Sequence, residues 1–79
     1  MNMNLSQLIG RWVEYRDRNE ATRIGRCRKV YGARAITVDM RWQGHLLHKQ
    51  RVPVERITRV KIWRTWRTWN PELELPPLK

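Results

Sequence analysis

Phenylalanine is absent from this 79-residue chain, and cysteine occurs once, at Cys27. A single cysteine excludes a disulfide within the chain and fits a reducing compartment. No apolar run approaches the roughly 18 residues that a membrane span requires, and the first residues lack the basic start and apolar centre of a signal peptide. We therefore expect one small cytoplasmic domain without a membrane partner.

Acidic residues are also scarce. Seven Asp and Glu stand against seventeen Lys and Arg, which gives a net charge of +10, and thirteen of the seventeen cations are Arg. The charge is concentrated at residues 21–50 (net +6) and 51–69 (net +5), whereas 1–20 is neutral and 70–79 is net −1. A solvated surface would explain positive charge as such, but lysine would serve it equally well. The arginine excess favours bidentate contact with phosphates, so we expect a polyanionic partner.

The sequence has little that could support catalysis. It contains no carboxylate pair, no glycine-rich phosphate loop and no nucleophile elbow. Cys27, His45 and His48 are too few to close a tetrahedral zinc site. We therefore expect no enzymatic activity, no metal, no cofactor and no small-molecule substrate.

Alternating apolar and polar residues predict a mainly β fold with five strands. The predicted strands cover 11–16, 21–31, 35–40, 46–52 and 58–63. A β-bulge at Gly25 would bring both Ile24 and Cys27 to the core side of the second strand. A short helix within residues 1–10, capped by Asn4, would precede the first strand.

The segment Arg51–Trp63 combines a strand end, Pro53, residues for a single 3₁₀ turn, and a short strand. This order resembles the closing segment of SH3-like barrels, and Ile24–Val30 is similar to their bent second strand. The resemblance covers about residues 10–63 and implies a small five-stranded barrel at 11–63, with the helix at 1–10 before it and an extended tail at 64–79 after it. An oligonucleotide-binding fold is the nearest alternative, although it usually needs a longer chain.

Cations on outward strand positions, together with one exposed ring, form the candidate nucleic-acid site. Basic SH3-like barrels contact nucleic acid through such faces, and exposed tryptophans can stack on unpaired bases. We expect Tyr15 and Trp63 to fill the core and Trp42, Trp66 and Trp69 to be exposed. The candidate binding residues are Arg23, Arg26, Arg28, Lys29, Arg34, Arg41, Trp42, Arg51, Arg59 and Lys61.

The tail at 64–79 is rich in Trp, Leu and Pro, and its prolines favour extended geometry over a helix. Such a segment can lie in a groove of another protein. Its candidate docking residues are Trp66, Trp69, Leu73, Leu75 and Leu78.

Two functions remain open from the sequence. The first is a non-enzymatic nucleic-acid-binding barrel, with RNA or single-stranded DNA favoured and duplex DNA possible. The alternative is a small accessory subunit, or a phage- or plasmid-type adaptor, that docks on a larger protein or ribonucleoprotein through the tail.

Overall fold

Six antiparallel strands form one sheet in the computed structural model, which describes residues 5–77. The strands follow the order β4-β3-β2-β1-β5-β6 across the sheet. This architecture confirms the mainly β prediction. The strands are β1 (Trp12–Arg16), β2 (Thr22–Tyr31), β3 (Ala35–Trp42), β4 (His45–Pro53), β5 (Ile57–Ile62) and β6 (Thr65–Thr68).

The predicted five-strand count is wrong, because the segment expected to be a tail supplies β6. Thr65–Thr68 pairs with β5 through a turn at Trp63 and Arg64. The alternating Thr65-Trp66-Arg67-Thr68 is suited to a strand, but the period-three repeat of tryptophans obscures it. The sheet is also not closed into a barrel, since β4 and β6 are its two edges.

Helical structure is limited to two 3₁₀ turns among the residues described. The first covers Leu5–Leu8 and buries both leucines, and the chain leaves it through Gly10 at a φ of 87°. The proposed cap, Asn4, lies outside the described residues. The second turn, Val54–Arg56, follows Pro53 and confirms the predicted single turn between β4 and β5. Neither turn has the length to cross a membrane.

The sequence pattern predicted a bulge at Gly25, but the irregularity in β2 lies at another position. Pairing with β1 is continuous across Gly25, whereas pairing with β3 shifts between Cys27 and Lys29. Ile24 consequently stays on the side away from the core, 42% exposed. Gly25 is instead a position of close packing: a Cβ there would lie 3.1 Å from the Cβ of Val38.

The hydrophobic core lies on one side of the sheet, which we call the inner face. Tyr15 is buried there, as predicted, together with apolar residues of β1, β2, β3, β4 and β5. Trp63 does not join it: the residue occupies the β5–β6 turn with a positive φ and is 70% exposed. Trp69 takes that role and is only 7% exposed, contrary to the expectation that it faces solvent.

The segment after β6 returns to the core. Leu73 and Leu75 pack against it. The side chain of Gln7 donates a hydrogen bond to the Leu73 carbonyl (2.7 Å) and accepts one from the Leu75 amide (3.1 Å). The guanidinium of Arg11 donates to the carbonyl of Pro76. The chain thus closes over its own core beside the first 3₁₀ turn.

Candidate nucleic-acid interface

The side of the sheet away from the core, which we call the outer face, carries most of the strand-borne charge. Directly paired residues in an antiparallel sheet point to the same side, and side chains alternate along each strand. The register therefore places nine cations and two carboxylates on the outer face. They are Arg16, Arg26, Arg28, Lys29, Arg41, Lys49, Arg51, Arg59 and Lys61, with Glu14 and Asp39.

Glu14 is the first of the two carboxylates and is paired with Arg59. The Nε of Arg59 donates to Oε1 of Glu14 at 3.0 Å, and its Nη2 donates to Oε2. The hydroxyl of Thr58 adds a bond of 2.7 Å. The hydrogen bond from Arg59 is the main reason that the pKa of Glu14 lies below its ordinary value. Much of the charge of Arg59 is therefore compensated within the sheet.

Asp39, the second carboxylate, is paired with two cations. The Nε of Arg28 lies 3.0 Å from both of its oxygens, and the Nε of Arg41 lies 3.4 Å from Oδ2. Burial raises the pKa of Asp39, but these two arginines outweigh it, so the pKa is lowered overall. The ion pair between Asp39 and Arg28 thus links β3 to β2. Because one carboxylate faces two arginines, one positive charge remains uncompensated.

Three aromatic rings of the outer face lie beneath cations. Lys29 Nζ is 5.3 Å, and the guanidinium carbon of Arg51 4.1 Å, from the centre of the Tyr31 ring. The two other rings follow the same pattern: Arg26 lies 4.8 Å from the ring centre of Trp12, and Arg59 and Lys61 lie 5.6 and 6.0 Å from that of Trp66. These distances are within the range of cation–π attraction, which orders the long side chains without neutralising them.

Five cations of the outer face have no carboxylate within 4.0 Å in the part of the chain that the structure describes. They are Arg26, Lys29, Lys49, Arg51 and Lys61. Arg26 also has a buried Nε that meets no acceptor among residues 5–77. The outer face can therefore supply five uncompensated positive charges to an anion, carried by β2, β4 and β5.

The structure brings seven of the ten predicted binding residues together on the outer face: Arg26, Arg28, Lys29, Arg41, Arg51, Arg59 and Lys61. The other three lie elsewhere. Arg23 pairs with Tyr15, which places it on the inner side, and its Nε lies 2.6 Å from Asp17. Arg23 therefore does not share the outer face with the other cations, because the expected bulge at Gly25 is absent, although its side chain is 49% exposed.

Of the two remaining candidates, one lies in a turn and the other directly before one. Arg34 is in the β2–β3 turn, exposed to solvent. Trp42 is at the end of β3, 65% exposed, as the sequence predicted. The two-residue turn that follows it, Gln43 and Gly44, has positive φ at both positions, as tight hairpins require.

Sequence reasoning did not select Arg16 and Lys49, nor the rings Trp12 and Tyr31. Strand alternation would have identified the two cations, because residues an even number of positions apart on a strand face the same side. Lys49 is two residues from Arg51, and Arg16 is two residues from Glu14 and four from Trp12. The pairing of Glu14 with Arg59 was not predictable, because it depends on which strands become neighbours.

The predicted docking residues are divided among different environments. Trp66 lies on the outer face, half-buried, while Trp69 is in the core. Leu73 and Leu75 pack against that core, and Leu78 lies outside the described residues. At least three of the five are thus engaged by this chain itself.

Three of the exposed large apolar side chains among residues 5–77 lie near the tip of the β3–β4 hairpin. Trp42, Leu46 and Leu47 are 65%, 49% and 65% exposed. These residues lie on either side of the tight turn, at one end of the sheet.

Cys27 is fully buried, and burial raises the pKa of its thiol to about 11. A thiol in this state is protonated at neutral pH and is a poor nucleophile. Over residues 5–77, no group of three His, Cys, Asp or Glu side chains could hold a metal ion.

Comparison with known proteins gave no relative: no family model, curated protein or solved structure matches this chain.

Proposed function

We propose that this chain is a non-enzymatic nucleic-acid-binding protein that contacts phosphates through the outer face. The observation that carries the proposal is the set of five uncompensated cations on the outer face, four of which lie within 6.0 Å of the centre of an aromatic ring. Phosphate contacts supply most of the affinity of proteins for nucleic acids, and aromatic rings add sequence-tolerant stacking on unpaired bases.

RNA or single-stranded DNA suits this surface better than a duplex. Trp12, Tyr31 and Trp66 are interleaved with the cations rather than segregated from them. Unpaired bases can stack on such rings and on the guanidinium planes above them. A duplex keeps its bases paired and would use only the charges, so it is the weaker ligand in this proposal.

We propose that the sheet has an SH3-like fold that is open at one side and extended by β6. Two features support it. One half of β2 pairs with β1 and the other half with β3, as a bent strand does. The second 3₁₀ turn follows Pro53 and leads directly into β5. We place the protein in the cytoplasm, in keeping with its single buried Cys27.

Fluorescence anisotropy with single-stranded RNA, single-stranded DNA and duplex DNA of equal length tests the proposal. We expect micromolar or tighter binding, with both single strands ahead of the duplex. The double variant Lys29→Gln and Lys61→Gln removes two uncompensated charges and should weaken binding about tenfold at low salt.

The matched control is Arg64→Gln with Arg67→Gln. Both residues are exposed and lie off the outer face, and the control has the same net charge. We expect less than about a threefold change, owing to the long-range field alone. Equal losses in the two double variants would mean that net charge, and not the outer face, determines binding.

Docking on a larger protein is the second candidate function, and the exposed hairpin tip favours it. Exposed apolar clusters of this kind often mark interaction sites. With Trp69, Leu73 and Leu75 occupied within the chain, the tip is the better docking surface. If all three nucleic acids fail to bind, a larger protein that co-purifies with the wild type but not with the Trp42→Ser variant would support this candidate.

A further inference from the structure

A basic cavity lies between the β1–β2 loop and the end of β4, next to the outer face. Its volume is about 230 Å³. Four arginines line it, namely Arg16, Arg18, Arg51 and Arg56, and the exposed Pro53 contributes apolar surface. Two of these arginines, Arg16 and Arg51, also belong to the outer face, so the cavity adjoins that face.

The charge of the cavity is only partly compensated. Arg56 Nη1 donates to the Asp17 carbonyl at 2.9 Å and to Glu20 Oε1 at 3.2 Å, and Arg16 Nη1 lies 3.9 Å from Glu20 Oε2. Across residues 5–77, Arg18 and Arg51 have no carboxylate within 4.0 Å. Glu20 is thus a single carboxylate shared by two of the four arginines, and its side chain is 62% exposed.

A ligand for this cavity must be anionic and small. A phosphomonoester has a charge of about −1.5 to −2 at neutral pH and three acceptor oxygens, which arginines bind in bidentate fashion. Pockets for drug-sized ligands and cofactors begin at roughly 300 Å³, so this cavity accepts a phosphate with its sugar but not a dinucleotide.

We propose that this cavity binds the terminal phosphomonoester of a nucleic-acid strand whose following nucleotides lie on the outer face. The inference rests on the proposed function. Arg18, with no carboxylate partner, and Arg51, which reaches both surfaces, bind the phosphate oxygens. Pro53, which is exposed, contacts the sugar. Glu20 competes with the phosphate for Arg16 and Arg56.

Anisotropy with one labelled RNA sequence tests this inference in three forms: a 5′-phosphate, a 3′-phosphate, and both ends as hydroxyls. The label is attached at an internal nucleotide. We expect one phosphorylated end to bind about tenfold more tightly than the hydroxyl form, the effect of one charge-assisted hydrogen bond. The end that gains affinity identifies the polarity of the strand.

Two variants separate the cavity from general charge attraction. Arg18→Gln should reduce the preference for the phosphorylated end to about twofold or less, whereas Arg64→Gln, with the same change in charge, should retain it. Glu20→Gln should increase the preference, because it removes the competing carboxylate.

The outcomes distinguish the two proposals. Equal affinity for phosphorylated and hydroxyl RNA overturns the cavity proposal and leaves the outer face intact. A preference that survives Arg18→Gln also overturns it. Binding of none of the three RNA forms overturns the proposed function, and the cavity proposal with it.

Discussion

Trp63 and Trp69 offer a matched pair for testing the fold, because the two tryptophans lie six residues apart in opposite environments. Trp69 is 7% exposed within the core, and Trp63 is 70% exposed in a turn. Trp69→Ala should therefore be severely destabilising, whereas Trp63→Ala should change the free energy of unfolding by no more than about 0.5 kcal/mol.

The size of the Trp69 effect follows from its surroundings. Replacing a buried tryptophan by alanine costs about 3–5 kcal/mol. We expect the lower end, about 3 kcal/mol, because Trp69 follows the edge strand and its buried Nε1 has no acceptor among residues 5–77. A domain of this length has about 4–12 kcal/mol of total stability. The melting temperature should consequently fall by about 15 °C.

Urea unfolding followed by far-ultraviolet circular dichroism measures both variants without relying on tryptophan fluorescence. Trp69→Phe should lose less stability than Trp69→Ala, since it keeps an aromatic ring and removes the unpaired Nε1–H group. Truncation after Arg64, which removes β6 and Trp69 together, should leave an unfolded chain. The reasoning is refuted if Trp63→Ala costs as much as Trp69→Ala, or if the truncated chain remains folded.

Two further predictions concern stability. Gly25→Val should cost about 1–3 kcal/mol in urea unfolding, because its Cβ would lie 3.1 Å from both the Val38 side chain and the Asp39 carbonyl oxygen; Thr22→Val, an exposed change in the same strand, should be nearly neutral. The pKa values of Glu14 and Asp39 are lowered in the folded state, so their ion pairs stabilise fully above the unfolded-state pKa of about 4 and weaken as the pH falls through the lower folded-state values. The urea midpoint should therefore be steady near pH 6 and fall below pH 4, with a shallower fall in Asp39→Asn; an equally steep fall in that variant would contradict the assignment.

Much of the sheet was predictable from the sequence because its signals are local. The alternation at Ile36 and Val38 and the Gln43-Gly44 turn specify β3 and its hairpin within a few residues. Pro53 similarly determines where β4 ends and the second 3₁₀ turn begins.

What the sequence did not predict depends on contacts between distant segments. Nothing near Trp69 indicates burial, because its place in the core requires β6 to pair with β5. Gly25 suggested a bulge, but the close approach of β3 explains the glycine instead. Only part of the site was predictable from the sequence. Alternation identifies the outward cations, but which of them are paired depends on Glu14 and Asp39, which lie on other strands.

The dependence of binding on salt tests the role of the outer face most directly. Five uncompensated cations predict a slope of about −3.5 in a plot of log binding constant against log salt on single-stranded RNA, at about −0.7 per phosphate contact. Lys29→Gln with Lys61→Gln should make the slope shallower by about 1.4, whereas Arg64→Gln with Arg67→Gln should leave it unchanged. A slope near zero for the wild type, or the same slope in both double variants, would contradict the assignment of the outer face as the binding surface.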